Sequence, residues 1–118
     1  MDVHIVEDDA AVADALCVAL ADLNHSPRVY PDGETFLAQA SLSACHCVIV
    51  DLGLPGMSGS ELVNMLSEQA KPPKIIAISG KPRVKLLRHM RAVPGLTVLR
   101  KPLSIDMLSE AIEQARPI

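Results

Sequence analysis

Aromatic side chains are almost missing from this sequence: Tyr30 and Phe36 are the two, and tryptophan is absent. A core without rings must be filled by Val, Leu, Ile, Ala and Met, which suits helices on a parallel sheet better than an aromatic-rich β-sandwich. Cysteine is scarce too. Cys17, Cys45 and Cys47 are too few and too unevenly placed for a disulfide framework, and they read as small buried hydrophobes. "CHC" at 45–47 resembles half a zinc site, but no second Cys or His pair at finger spacing accompanies it, so structural roles are expected. No apolar run approaches the roughly 20 residues of a membrane helix, and "MDVHIVEDD" lacks the basic start and apolar stretch of a signal peptide. The chain is therefore expected in the cytoplasm, away from membranes. A basic surplus is missing as well: 14 acidic residues against 11 basic give a net charge of −3. That balance argues against direct nucleic-acid binding by these residues, and any DNA contact would fall to another domain.

What the sequence does have is alternation. Its 118 residues are expected to form one domain, 1–118, in which short β-branched runs take turns with segments of helical period. Strands are predicted at 3–6, 28–30, 45–50, 74–79 and 96–99. Helices are predicted at 9–23, with Val12, Leu16, Ala19, Leu20 and Leu23 on one face, and near 33–41, with Asp32 as N-cap. A third helix over 57–70 carries Ser58 and Glu61 at capping-box spacing and a stripe of Leu62, Val63, Met65 and Leu66. Pro72 and Pro73 are expected to end it. Pro82 opens a fourth near 82–92, and Ser104 caps a last one with Ile105, Leu108, Ile112 and Ala115 facing inward. Five strands and five helices joined by short turns specify an α/β fold of the flavodoxin-like (βα)5 kind, a doubly wound sandwich. Its parallel sheet would have the order 2-1-3-4-5, with ligands gathering beyond the carboxyl ends of the strands.

The strand ends carry the chemistry. The first ends in Glu7, Asp8 and Asp9, the third in Asp51, the fourth in Ser79, and Lys101 closely follows the fifth. With strands one and three adjacent, Glu7, Asp8 and Asp51 converge. Carboxylates about 5 Å apart repel by about 3 kcal/mol per pair at an effective dielectric near 20, so a cation must answer them. Mg²⁺ is one answer, because it is commonly held by one or two carboxylates and completes its shell with water and phosphate oxygens. The Lys101 ammonium is another. Together they would leave Asp51 as a nucleophile toward a phosphoryl group, with Ser79 as hydrogen-bond donor.

With "IVEDD", "VIVDLGLPGMSG", "IAIS" and "KP" in this order and spacing, the whole chain resembles the receiver domain of two-component response regulators. The resemblance implies that Asp51 accepts a phosphoryl group from a phosphohistidine on a sensor histidine kinase or phosphotransfer protein. It also implies that Asp8, Asp51 and the main-chain carbonyl of Gly53 ligate Mg²⁺ and that Glu7 reaches it through water. Lys101 would pair with the phosphoryl group, ahead of a cis bond to Pro102. Such a domain promotes its own phosphorylation and dephosphorylation and is not a dedicated enzyme. "HIVEDDAAV" and "VYPDGETFLA" are further similar to receivers of nitrogen-fixation transcription regulators, which implies a C-terminal DNA-binding effector domain in the whole protein.

Two features depart from the family's pattern. Val98 stands where receivers commonly carry Tyr or Phe, and a valine, stiff about its first torsion, offers no aromatic rotamer switch. Lys81, Arg83, Lys85, Arg88 and Arg91 crowd one segment, read as a solvated helix face, with an acidic partner or the kinase as the sharper reading. Other functions fit less well. A phosphohydrolase with an aspartate nucleophile would want a second acid at position 53, which is Gly53. A degenerate receiver acting as a phosphorylation-independent interaction module would be expected to lack the lysine or the acidic pair, and both are present. A flavin phosphate would be repelled by "EDDAAV" after the first strand. The histidines read as packing or surface residues, His4 as a satisfied strand residue.

Overall fold

The computed structural model describes residues 2–40, 46–52, 59–69, 73–79, 96–100 and 104–115. Five strands, β1 (Asp2–Val6), β2 (Ser26–Tyr30), β3 (Cys47–Asp51), β4 (Lys74–Ser79) and β5 (Leu96–Arg100), form one sheet in the order β2-β1-β3-β4-β5. Every pairing is parallel, with Val6 opposite Val50 and Asp51 opposite Ile78. The helices are α1 (Ala10–Asp22), α2 (Gly33–Gln39), α3 (Gly59–Ser67) and α4 (Ile105–Ala115). The helix expected near 82–92 lies outside the described residues. The expected flavodoxin-like order is thus present.

Both faces of the sheet are covered, which explains the unbroken β-branched runs. On one face, Leu16, Ala19 and Leu20 of α1 and Leu108, Ala111 and Ile112 of α4 pack on Val3, Ile5, Cys47, Ile49, Ile76 and Ile78. On the other, Phe36 of α2 and Leu62, Val63 and Leu66 of α3 pack on Val6, Tyr30, Val48, Val50, Ile75 and Ala77. Successive residues of each strand serve opposite layers. Fully burying each Val, Leu or Ile contributes about 1.5–3 kcal/mol, and this layered aliphatic packing holds the strand ends in place.

Helix α1 shows how the chain punctuates itself. Asp9 is its N-cap, the carboxylate accepting from Ala11 N–H at 2.9 Å and Val12 N–H at 3.3 Å. At the other end Asn24 adopts φ 65°, while His25 N–H donates to the Leu20 carbonyl and Asn24 N–H to that of Ala21, a Schellman closure. Asp9→Ala removes the cap acceptor and is expected to destabilise the chain by about 1 kcal/mol in urea unfolding; an unchanged midpoint would show that water replaces it. Asp32 caps α2 as expected, accepting from Thr35 N–H at 2.7 Å. Ser104 caps α4, its hydroxyl oxygen accepting from Met107 N–H at 3.1 Å.

Some boundaries differ from the sequence reading. β2 begins at Ser26 and takes in Pro27, which an edge strand tolerates because its missing N–H need serve no second neighbour. β3 begins at Cys47, not Cys45. α3 ends at Ser67, whose hydroxyl donates to the Asn64 carbonyl at 2.9 Å, so the helix stops before the prolines are reached. Met65 lies on its exposed face, outside the stripe of Leu62, Val63 and Leu66. Ser58, and with it the capping box, lies outside the described residues. No helix among the described residues is long and apolar enough to cross a membrane.

Candidate functional site: an acidic cluster at the strand ends

Glu7 and Asp8 leave β1 where Asp51 completes β3, and the pairing of these two strands brings the three together. One carboxylate oxygen from each lies within 4.8 Å of the others. Glu7 and Asp51 are almost wholly buried, at 3% and 6% exposure, while Asp8 is exposed. The cluster therefore forms a cup with two walls inside the protein and one rim in water. Hard carboxylate oxygens so close together make a donor set that suits a hard divalent cation such as Mg²⁺ better than a soft one.

The local chain holds these groups firmly. Glu7 N–H donates to the Tyr30 carbonyl at 3.1 Å, extending the β1–β2 ladder by one residue, and Asp9 N–H donates to the Glu7 carboxylate at 3.2 Å. On the other side Leu52 N–H donates to the Ile78 carbonyl at 2.9 Å, so the backbone on both sides of Asp51 is tied to β4. Gly59 opens α3 directly over this junction. A Cβ there would meet the Asp51 carbonyl oxygen and come within 2.6 Å of Leu52 Cα. Only glycine lets α3 approach the strand end this closely.

Of the other expected site residues, Ser79 is the last residue of β4, on the strand next to β3, and level with Arg100 of β5. Gly53 and Lys101 lie outside the described residues. Val98 pairs with Ala77 in register and packs, half-buried, against the layer that contains Val50 and Tyr30. Cys17 and Cys47 are free thiols, and burial pushes the Cys47 thiol up to about 12, which leaves it an inert core residue as expected. Two contributions escaped the sequence reading. Asp9, grouped there with the acidic strand end, caps α1 and is not part of the cluster. Gly59 carried a signal only in standing next to a helix start, which does not reveal what lies beneath it.

The comparisons with known proteins give the family to which this fold belongs. Residues 3–113 match the response regulator receiver domain, and the chain belongs to that family, the receivers of two-component systems. It is 29% identical to the transcriptional regulatory protein FixJ of Bradyrhizobium diazoefficiens, over 98% of this chain and 58% of that protein. It is 31% identical to the C4-dicarboxylate transport transcriptional regulatory protein DctR of Rhodobacter capsulatus, over 93% of this chain and 59% of that protein. The crystal structure of FixJ-N matches with a TM-score of 0.84 at 29% identity, covering 97% of this chain and 91% of that one. The chain thus spans somewhat more than half the length of these curated relatives.

Proposed function

We propose that residues 1–118 form a phosphoacceptor receiver domain that takes a phosphoryl group onto Asp51 from a phosphohistidine of a sensor histidine kinase or phosphotransfer protein. The observation that carries this reading is the placement of Asp51, rigidly backed by β4 and within 4.8 Å of the carboxylates of Glu7 and Asp8. A carboxylate oxygen of Asp51 forms a bond to phosphorus as the phosphorus–nitrogen bond breaks, and the donor imidazole leaves with the electron pair. Asp8, Asp51 and the carbonyl of Gly53 would hold Mg²⁺, with Glu7 acting through water. When bound, the ion offsets carboxylate repulsion and neutralises charge on the phosphoryl oxygens. The Ser79 hydroxyl and the Lys101 ammonium donate to those oxygens, and burial of Asp51 raises the strength of each such contact.

The domain serves as a switch, not as a dedicated enzyme, and works in the cytoplasm. Its relatives FixJ and DctR are named as transcriptional regulatory proteins and are longer than this chain, which supports a C-terminal DNA-binding effector domain in the whole protein. Val98 in place of an aromatic ring leaves the signal to backbone shifts after Ser79 and to the surface near β5 and α4.

Incubation with a small phosphodonor such as acetyl phosphate, with and without Mg²⁺, followed by intact-mass measurement tests the reading. The native chain is expected to gain one phosphoryl group only with Mg²⁺, and Asp51→Asn none. A gain that survives the substitution would refute Asp51 as acceptor, and no gain in either chain would favour a phosphorylation-independent interaction module.

A further inference from the structure

On the α2–α3 face of the sheet four polar side chains form a continuous line. The Tyr30 hydroxyl lies 3.1 Å from Nδ1 of His4, Nε2 of His4 lies 3.1 Å from Nδ1 of His46, and Nε2 of His46 lies 3.4 Å from the Asp2 carboxylate. His4 and Tyr30 are buried, with Phe36 packed edge-on against both rings, while His46 is 22% exposed and Asp2 faces water. The line therefore runs from solvent into an apolar layer.

One proton assignment satisfies every contact. With Nε2–H of His46 turned to the Asp2 carboxylate 3.4 Å away, His46 Nδ1 is left as an acceptor for His4 Nε2–H, which in turn leaves His4 Nδ1 to accept from the Tyr30 hydroxyl. Both imidazoles are then neutral. A proton entering from solvent through His46 must be shared between the two facing nitrogens, and His4 must then carry hydrogen at Nδ1. Tyr30 becomes an acceptor, and its own O–H must turn away from His4 inside the aromatic layer. A second proton would set two N–H groups against each other at 3.1 Å. Among the described residues no third ligand joins the two imidazoles, and the cluster of three metal-binding groups is Glu7, Asp8 and Asp51.

We propose that Tyr30, His4, His46 and Asp2 form a proton sensor built into the sheet, in which uptake of a proton at the imidazole pair weakens the packing of β2 and α2 on β1. Among the described residues, the groups that bear on His4 are its β1 neighbour Asp2, Arg28 and Tyr30 of β2, and His46. Phe36 from α2 and its register partner Val48 from β3 do not titrate. Lys74 of β4 donates its backbone N–H to the His46 carbonyl, and its register with Cys47 sets its side chain toward the opposite face. Burial first, then the His46 charge, hold His4 below the ordinary histidine value of 6.5; Arg28 acts in the same direction and Asp2 opposes it. The sign follows: the unfolded chain takes the proton more readily, so stability is full above about pH 6.5 and falls as the pH drops below it.

Urea unfolding of the native chain and of His4→Phe, which keeps a ring in the layer, tests the proposal between pH 7.5 and 5.5. The unfolding constant of the native chain is expected to rise below pH 6.5 by up to about tenfold per pH unit more than that of the variant, the slope of one proton. Equal slopes would overturn the proposal. Should the variant not fold, imidazole ¹⁵N spectra of the native chain decide it. Hydrogen at Nε2 alone on both His4 and His46 at pH 7.5 supports the line as drawn; hydrogen at Nδ1 of His4 overturns it.

Discussion

Gly59→Ala is expected to lower the stability of the chain by about 3 kcal/mol, near the upper end of what overpacking a filled site costs. The added methyl would press on main-chain atoms of Asp51 and Leu52, not on a side chain that can rotate away. Either α3 lifts from the sheet, opening the layer of Leu62, Val63 and Leu66, or the strand end is displaced from its place beside β4, which the Leu52 to Ile78 hydrogen bond resists. Urea unfolding would show the loss as a lower midpoint at unchanged slope. Phosphorylation by acetyl phosphate should slow as well, since the displaced atoms belong to the residue proposed as acceptor. An unaltered midpoint would mean that the closeness of α3 to β3 is not maintained in solution.

Phe36→Ala is expected to cost about 3–5 kcal/mol. Phe36 is fully buried and is the one ring that α2 contributes to its layer, standing edge-on to Tyr30 at 5.1 Å between centroids and to His4 at 5.9 Å. Those two neighbouring rings are tied to each other through the Tyr30 hydroxyl and His4 Nδ1, so neither is free to swing in and fill the space. Against the 5–15 kcal/mol that holds a domain together, such a loss approaches the whole margin. Leu37→Ala, one residue on but at an exposed position, serves as the control and should change the midpoint little. A loss at Phe36 as small as at Leu37 would contradict the packing of α2 described above.

How much of this was legible in the sequence depends on what kind of interaction set each feature. The layered sheet was legible, because "VHIV", "CVIV" and "KIIAIS" state their two-sided burial in composition alone. So was the acidic cluster: once β1 and β3 are neighbours, Glu7, Asp8 and Asp51 must meet. Cap residues whose hydrogen bonds span three positions, Asp32 and Ser104, were equally plain. What was hidden is contact between segments far apart in the chain. The approach of Gly59 to Asp51 and Leu52 depends on how α3 settles on the sheet. The alignment of His4, Tyr30 and His46 depends on the register of three strands at once. Edge position, likewise invisible locally, is what allows Pro27 inside β2.

The place of β1 between β2 and β3 also bears on how the chain reaches its final form. On one side β1 pairs with residues 26–30, closing a loop that holds only α1; on the other it pairs with residues 47–50, closing one that also holds β2 and α2. Loop-closure entropy favours the first contact, and pairings between more distant segments are made more slowly. The first unit to assemble, β1 with α1 and β2, contains Glu7 and Asp8 but not Asp51, so it carries only part of the mutual repulsion. The remainder arrives with β3, together with Val48, Ile49 and Val50, which are fully buried at the centre of the sheet. The chain thus postpones the full encounter of Glu7, Asp8 and Asp51 until a step that also buries a run of aliphatic side chains.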